Sequence, residues 1–184
     1  MKNGVSTVAF LLLILFGFMF FPTSCGRKIG VDRFDFADMD VMAQVEGMID
    51  GKEISATVFS FPRAEGEEIR ASVLYHSPAS LEGISITMQA CGECSARLGD
   101  MTLNTGGLDG LIEPFMPLIS PRTVYSVERT ESLDEKIRIC DENCDLYYVF
   151  DGEEGVLKSI SGKYMDRDID IRIKSFSLDF AFSE

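Results

Sequence analysis

From Val41 onward apolar and polar residues alternate through most of the chain. A period of two is the signature of strands. Val41, Ala43, Val45 and Ile49 fall on one face, and Asp50-Gly51 follows them. Asp-Gly is a strong hairpin signal, because both central residues of a type I′ turn need φ > 0. A return strand over 53–61 and a polar turn over 62–67 come next. In the third strand Ile69, Ala71, Val73 and Tyr75 alternate with Arg70, Ser72 and His76. The stretch SPASLEG at 77–83 breaks the pattern, and Ile84, Ile86 and Met88 then alternate with Ser85, Thr87 and Gln89. After 91–94 another strand is predicted over 95–104. Strands return over 123–130, 136–140, 146–150, 156–160 and 164–182, with turns at 132–135, 141–143, 151–155 and 161–163. In the last of these Ile169, Ile171 and Ile173 are odd-numbered, whereas Phe176, Leu178, Phe180 and Phe182 are even. A β-bulge near Lys174-Ser175 restores a single apolar face.

One stretch breaks the period of two. Gly106-Gly107 ends the first run of strands, and Leu108, Leu111, Ile112, Phe115, Met116 and Ile119 follow at helical spacing. That spacing lines one face of a short helix. Pro114 and Pro117 interrupt it, because an interior proline removes a hydrogen bond and crowds the preceding turn. A broken helix or two short turns are predicted. The fold class is therefore mainly β, an antiparallel meander with one short apolar helical lid segment. An open sheet has a face to bury, and 108–119 is the best cover the sequence offers.

The N-terminus follows different rules. Lys2 precedes an unbroken apolar run over 8–21, followed by Pro22, Thr23, Ser24 and Cys25. A basic start, a short apolar stretch and small residues at its end describe a secretory signal. The run is short of the roughly 20 residues that span a bilayer. The segment resembles a bacterial lipoprotein signal, which implies lipidation of Cys25 as the new N-terminus. An uncleaved anchor and a conventional signal are the alternatives, and all three most naturally place the rest of the chain outside the cytoplasm. The expected organisation is a signal peptide over 1–24, a tether over 25–40 and one β-rich domain over 41–184. The tether holds Asp32, Asp35, Asp38 and Asp40 with Phe34 and Phe36, in no lasting period, and is expected to end in a short helical turn.

Charge narrows the partners. With 17 basic and 30 acidic side chains the net charge is -13, which argues against nucleic acid and against an electrostatically held membrane patch. There is a single histidine, His76, so any His-dependent catalytic site has to use it, and it sits on the polar side of its strand. Asp166, Asp168 and Asp170 suggest a calcium loop, but Ile171 and Ser177 stand where an EF-hand needs Gly and Glu. They read instead as the wet face of a strand. No catalytic constellation, cofactor motif or nucleotide loop is found.

Four cysteines remain after Cys25: the pairs Cys91, Cys94 and Cys140, Cys144, both at predicted hairpin tips. Outside the cytoplasm an even count reads as disulfides. A three-residue loop over 141–143 sets Cys140 opposite Cys144, close enough to be bridged. No register of the first hairpin both opposes Cys91 with Cys94 and keeps good patterning. Three alternatives stay open: a zinc ribbon, which presents four thiolates from two hairpin tips, a redox CxxC, and free thiols.

With this strand order laid out, the chain resembles extracytoplasmic lipoproteins of the LolA-like superfamily. The resemblance rests on Cys25, on the early meander with SPASLEGISI at 77–86, and on the apolar insertion at 108–119 before a second run of strands. It implies an unclosed antiparallel half-barrel with helices in its concave face, and a groove for acyl chains or a lipoprotein partner. It implies no catalytic residues. The expected function is a lipid-anchored, non-enzymatic envelope protein, held to the membrane through Cys25. It binds an apolar ligand or protein between sheet and lid, with Leu108, Leu111, Ile112, Phe115, Met116 and Ile119 as the lid. A ligand-free interaction module of the cell surface and a zinc-ribbon-bearing module are the alternatives.

Overall fold

The computed structural model describes residues 33–104, 106–121, 126–129 and 134–178. The signal segment, Cys25, Phe180 and Phe182 lie outside the described residues. The strands are β1 (Val41–Ile49), β2 (Lys52–Ser60), β3 (Ile69–Ser77), β4 (Ser85–Gln89), β5 (Cys94–Leu98) and β6 (Met101–Leu103), then β7 (Ser126–Arg129), β8 (Glu135–Cys140), β9 (Cys144–Phe150), β10 (Leu157–Tyr164) and β11 (Arg167–Leu178). They form one 11-stranded sheet in the order β6-β5-β4-β3-β2-β1-β11-β10-β9-β8-β7. Every pairing is antiparallel. The sheet does not close, and the half-barrel with a short helical segment is the architecture observed.

The path of the chain explains why there is a lid. The first six strands step outward, hairpin by hairpin, to one edge. The chain then has to reach the opposite edge, where β7 begins, and the later strands step back until β11 pairs with β1. The connection crosses the concave face. It carries α1 (Asp109–Ile112), a 3-10 turn (Glu113–Phe115) and α2 (Met116–Ile119). Pro114 and Pro117 each fall in the first turn of a new segment, where a missing amide is tolerated. The apolar helical spacing and the two prolines thus give the broken helix they predict.

The inner face repeats the alternation seen in the sequence. Val58, Val73, Ile86, Ile137, Ile139, Ile160 and Ile171 are all fully buried. Gln44 pairs with Ser175 and Val45 with Ile173, leaving Lys174 unmatched. This is the bulge the parity change predicts, and it returns Phe176 to the face of Ile171. Phe36 is buried, and Phe34 sets its ring edge-on to Tyr148 and Phe150 at 5.1 and 5.5 Å. Phe36 meets Phe176 in the same way. The tether thus ends in the short helical turn expected of it, the 3-10 turn Asp35–Asp38, but that turn is packed into the core.

Two strand boundaries differ from expectation. The strand predicted over 95–104 is two strands, because Gly99, at φ 57°, turns the chain at Gly99-Asp100. The turn predicted at 161–163 is continuous β10. Gly162 lies there at φ 129° because the Asp145 carbonyl comes so close that a Cβ would collide with it. The turn falls instead at Met165 and Asp166, both at positive φ.

Candidate functional site

Three side-chain hydroxyls from three strands hold the lid from below. Tyr75 on β3 donates to the Leu111 carbonyl at 2.6 Å. Tyr148 on β9 donates to the Pro117 carbonyl at 2.9 Å, and Ser60 on β2 to the Ile119 carbonyl at 3.3 Å. Helices of four residues leave most of their carbonyls without an intrahelical partner, so the strands supply donors where the broken helix cannot. Burial pushes the Tyr75 phenol up to about 12, with Arg167 opposing it. The hydroxyl therefore stays protonated and donating. Arg167 also reaches Glu113 of the lid at 3.7 Å and Asp50 at 3.5 Å.

The predicted lid residues divide into two sets. Phe115, Ile112 and Ile119 are 0–3% exposed, together with Leu118, and their apolar side chains fill the concavity. Leu108, Leu111 and Met116 are half-buried. They are partly buried apolar side chains packed against the core, as are Leu81, Ile84, Met88 and Cys94. The lid packs on β4 through α1 and on β2 through α2, and the seam around it is where Leu108, Leu111 and Met116 present apolar surface toward solvent.

Beyond the seam the concave face continues uncovered. Ile86 pairs with Ala96 and Ala96 with Leu103, while Leu98 pairs with Met101. Directly opposed residues share a face, so Leu98, Met101 and Leu103 stand on the same face as buried Ile86. They are 44, 66 and 61% exposed. The sequence reasoning missed this patch, because it took 95–104 as one strand. The Gly99-Asp100 pair, a hairpin signal in its own right, would have revealed it.

The cysteines are not arranged as expected. Among the described residues no disulfide is formed. Cys140 pairs with Asp145, not with Cys144. A slip of one residue reverses which face a side chain takes, so Cys140 is exposed while Cys144 is buried with Leu146 and Tyr148. Cys94 stands opposite Met88, and Cys91 lies in the exposed loop before it. The two pairs also sit in different halves of the sheet and at opposite strand ends, which a shared zinc ribbon does not allow. No group of three or more metal-ligating side chains occurs among the described residues. Burial, and then the charge of Asp109, raise the Cys94 thiol, opposite to the lowering a reactive thiol needs.

His76 is exposed and shares a hydrogen bond with Thr57 Oγ1 at 2.8 Å. Asp168 and Asp170 are exposed on the face opposite Ile169 and Ile171, as the alternation predicts. Neither joins a catalytic arrangement.

The class this geometry defines is an unclosed antiparallel half-barrel whose concave face is filled by a crossing segment. No family model and no curated protein matches the chain. Among solved structures, an uncharacterized conserved protein from Thermus thermophilus is similar with TM-score 0.50 and 15% identity, over 83% of this chain and 86% of that one. A putative outer membrane lipoprotein-sorting protein domain from Vibrio parahaemolyticus is similar with TM-score 0.45 and 8% identity, over 85% and 93%. MucB gives TM-score 0.47 and 12% identity over 88% of this chain and 62% of its own. At 15% identity the likeness to the Thermus thermophilus protein is one of fold alone.

Proposed function

We propose that the chain is a non-enzymatic, membrane-tethered extracytoplasmic domain, anchored through Cys25, that takes an apolar acyl chain or a lipoprotein partner between sheet and lid. The observation that carries this reading is the seam. Leu108, Leu111 and Met116 line a half-covered apolar rim on a lid made of two four-residue helices and hydrogen-bonded through its carbonyls. Lifting such a segment breaks a few hydrogen bonds and uncovers Ile112, Phe115, Leu118 and Ile119, apolar surface that a hydrocarbon chain covers again. The second reading is an interaction module in which the lid only completes the core, and the full burial of Phe115 favours it.

One pair of measurements separates them. The chain has no tryptophan, so Met116→Trp adds a single fluorophore at the seam. A fatty acid entering there is expected to shift its emission and to displace a fluorescent fatty acid. Leu111→Asp is expected to leave the fold intact and abolish that displacement. Unfolding of Leu111→Asp, with no displacement by wild type, points to the core-completing module. Mass spectrometry of the membrane-extracted chain tests the anchor, which is expected to appear as acylation of Cys25.

A further inference from the structure

The free edge of the sheet beyond the seam has the features of a second, separate docking surface. Strand β6 ends the sheet, so the backbone groups on its outer side are not engaged by a further strand of the described sheet. Edge strands of this kind pair readily with added strands. Most proteins blunt such an edge with charge, but β6 carries Met101, Thr102 and Leu103, all exposed. Leu98 lies beside Met101 on the same face, and its Cδ1 lies 3.6 Å from where a Cβ on Gly83 would stand. The patch therefore runs from the 77–84 loop across β5 to the edge.

The charges around the patch have one sign. Asp100 forms the turn between β5 and β6, Glu82 adjoins Gly83, and Glu93 precedes β5. Asp109 is near enough to raise the Cys94 thiol. The nearby cation, Arg97, is on the opposite face, pairing with Ser85 and Thr102, and its Nε donates to the Gly99 carbonyl at 3.0 Å. An open cleft of about 600 Å³ lies at the same sheet edge but against side chains of the other face, Ser95, Thr102 and Asn104 among them.

We infer that β6 is a β-augmentation site for an extended segment of a protein partner whose apolar side chains share one face and are flanked at both ends by basic ones. The added strand pairs with β6, lays its apolar residues on Leu98, Met101 and Leu103, and sets its terminal cations beside Glu82 and Asp100 at one end and Glu93 at the other. Main-chain pairing supplies affinity and the alternate side chains supply selectivity. The acidic rim selects among occupants. A second copy of a chain of net charge -13 brings the same carboxylates to the contact, and an anionic lipid surface is likewise repelled. A basic strand is complementary to both the rim and the whole molecule.

The test uses the full chain in detergent and two labelled peptides, each with a valine-threonine-valine centre, one flanked at both ends by lysines and one by glutamates. The lysine peptide is expected to bind, more weakly as salt is raised, and the glutamate peptide is not. The double variant Met101→Lys, Leu103→Lys changes exposed positions only. It is expected to keep the wild-type melting curve and to bind the lysine peptide about tenfold or more weakly, because like charges then face one another. Fatty-acid displacement is expected to be unchanged in that variant, so the edge site and the acyl seam fail independently. Equal binding of both peptides, equal binding by the variant, or a wild-type dimer that the variant abolishes each overturns the inference.

Discussion

One contact outside the lid joins the start of the described chain to the first residue of β8. Arg33 Nε donates to Glu135 Oε2 at 2.9 Å, and the Glu135 side chain is only 9% exposed. Its other oxygen, Oε1, is buried with no hydrogen-bond partner. A carboxylate so placed relies on its one cation, and removing the partner leaves a charge away from water. Arg33→Ala is expected to destabilise the protein by about 2 kcal/mol, less than a fully buried pair because the guanidinium keeps some solvent. Glu135→Gln is expected to lose less, since its amide still accepts from Arg33 and no charge is stranded. Urea unfolding of the two variants beside wild type measures the difference. Nothing in the sequence announced this pair. Its members are 102 positions apart, and an isolated Arg and an isolated Glu carry no periodic signal. Cys144 shows the same limit in another form. Its presence at a hairpin tip was legible, but its face was not, because a loop one residue longer reverses the face.

At the level of elements, alternation was a good guide where one face is buried and the other wet. The bulge at Lys174 was legible because the apolar face changes parity around it, and parity survives whatever the neighbours do. Turns were less legible, because glycine has two uses. Gly51 supplies a positive φ at a hairpin tip, whereas Gly162 admits the Asp145 carbonyl within a strand. The true turn after β10 uses Met165 and Asp166 at φ 47° and 66°, a conformation in which a Cβ is strained. Replacing them by Asn and Gly, the residues such a turn favours, is expected to stabilise the protein by about 1 kcal/mol. Thermal melts of Met165→Asn, Asp166→Gly against wild type check this, and an unchanged or lower midpoint counts against the strain. The substitution touches neither the lid nor the β6 edge.

The whole molecule is organised by a crossing that is not written in any local pattern. The helical spacing of 108–119 identified a cover for the sheet, but only the order of strands shows that the cover spans the concave face from the β6 edge to the β7 edge. The cover also does not work alone. Phe34 and Phe36 close the face on the other half, against Tyr148, Phe150 and Phe176. They were read as part of a tether because two aromatics among aspartates have no period to phase. Their packing makes the domain begin near Arg33, so little chain separates the packed domain from Cys25, and the proposed anchor would hold the sheet close to the membrane. A chain starting at Val41 loses both rings and the Arg33 contact. It is expected to be less stable than one starting at Arg33 by about 4 kcal/mol, the scale of removing large buried aromatics. Phe34→Ala, Phe36→Ala in the full-length chain is expected to reproduce most of that loss without changing the chain ends. If both truncation and double substitution leave the urea midpoint in place, the N-terminal turn is a tether after all, and the lid alone closes the half-barrel.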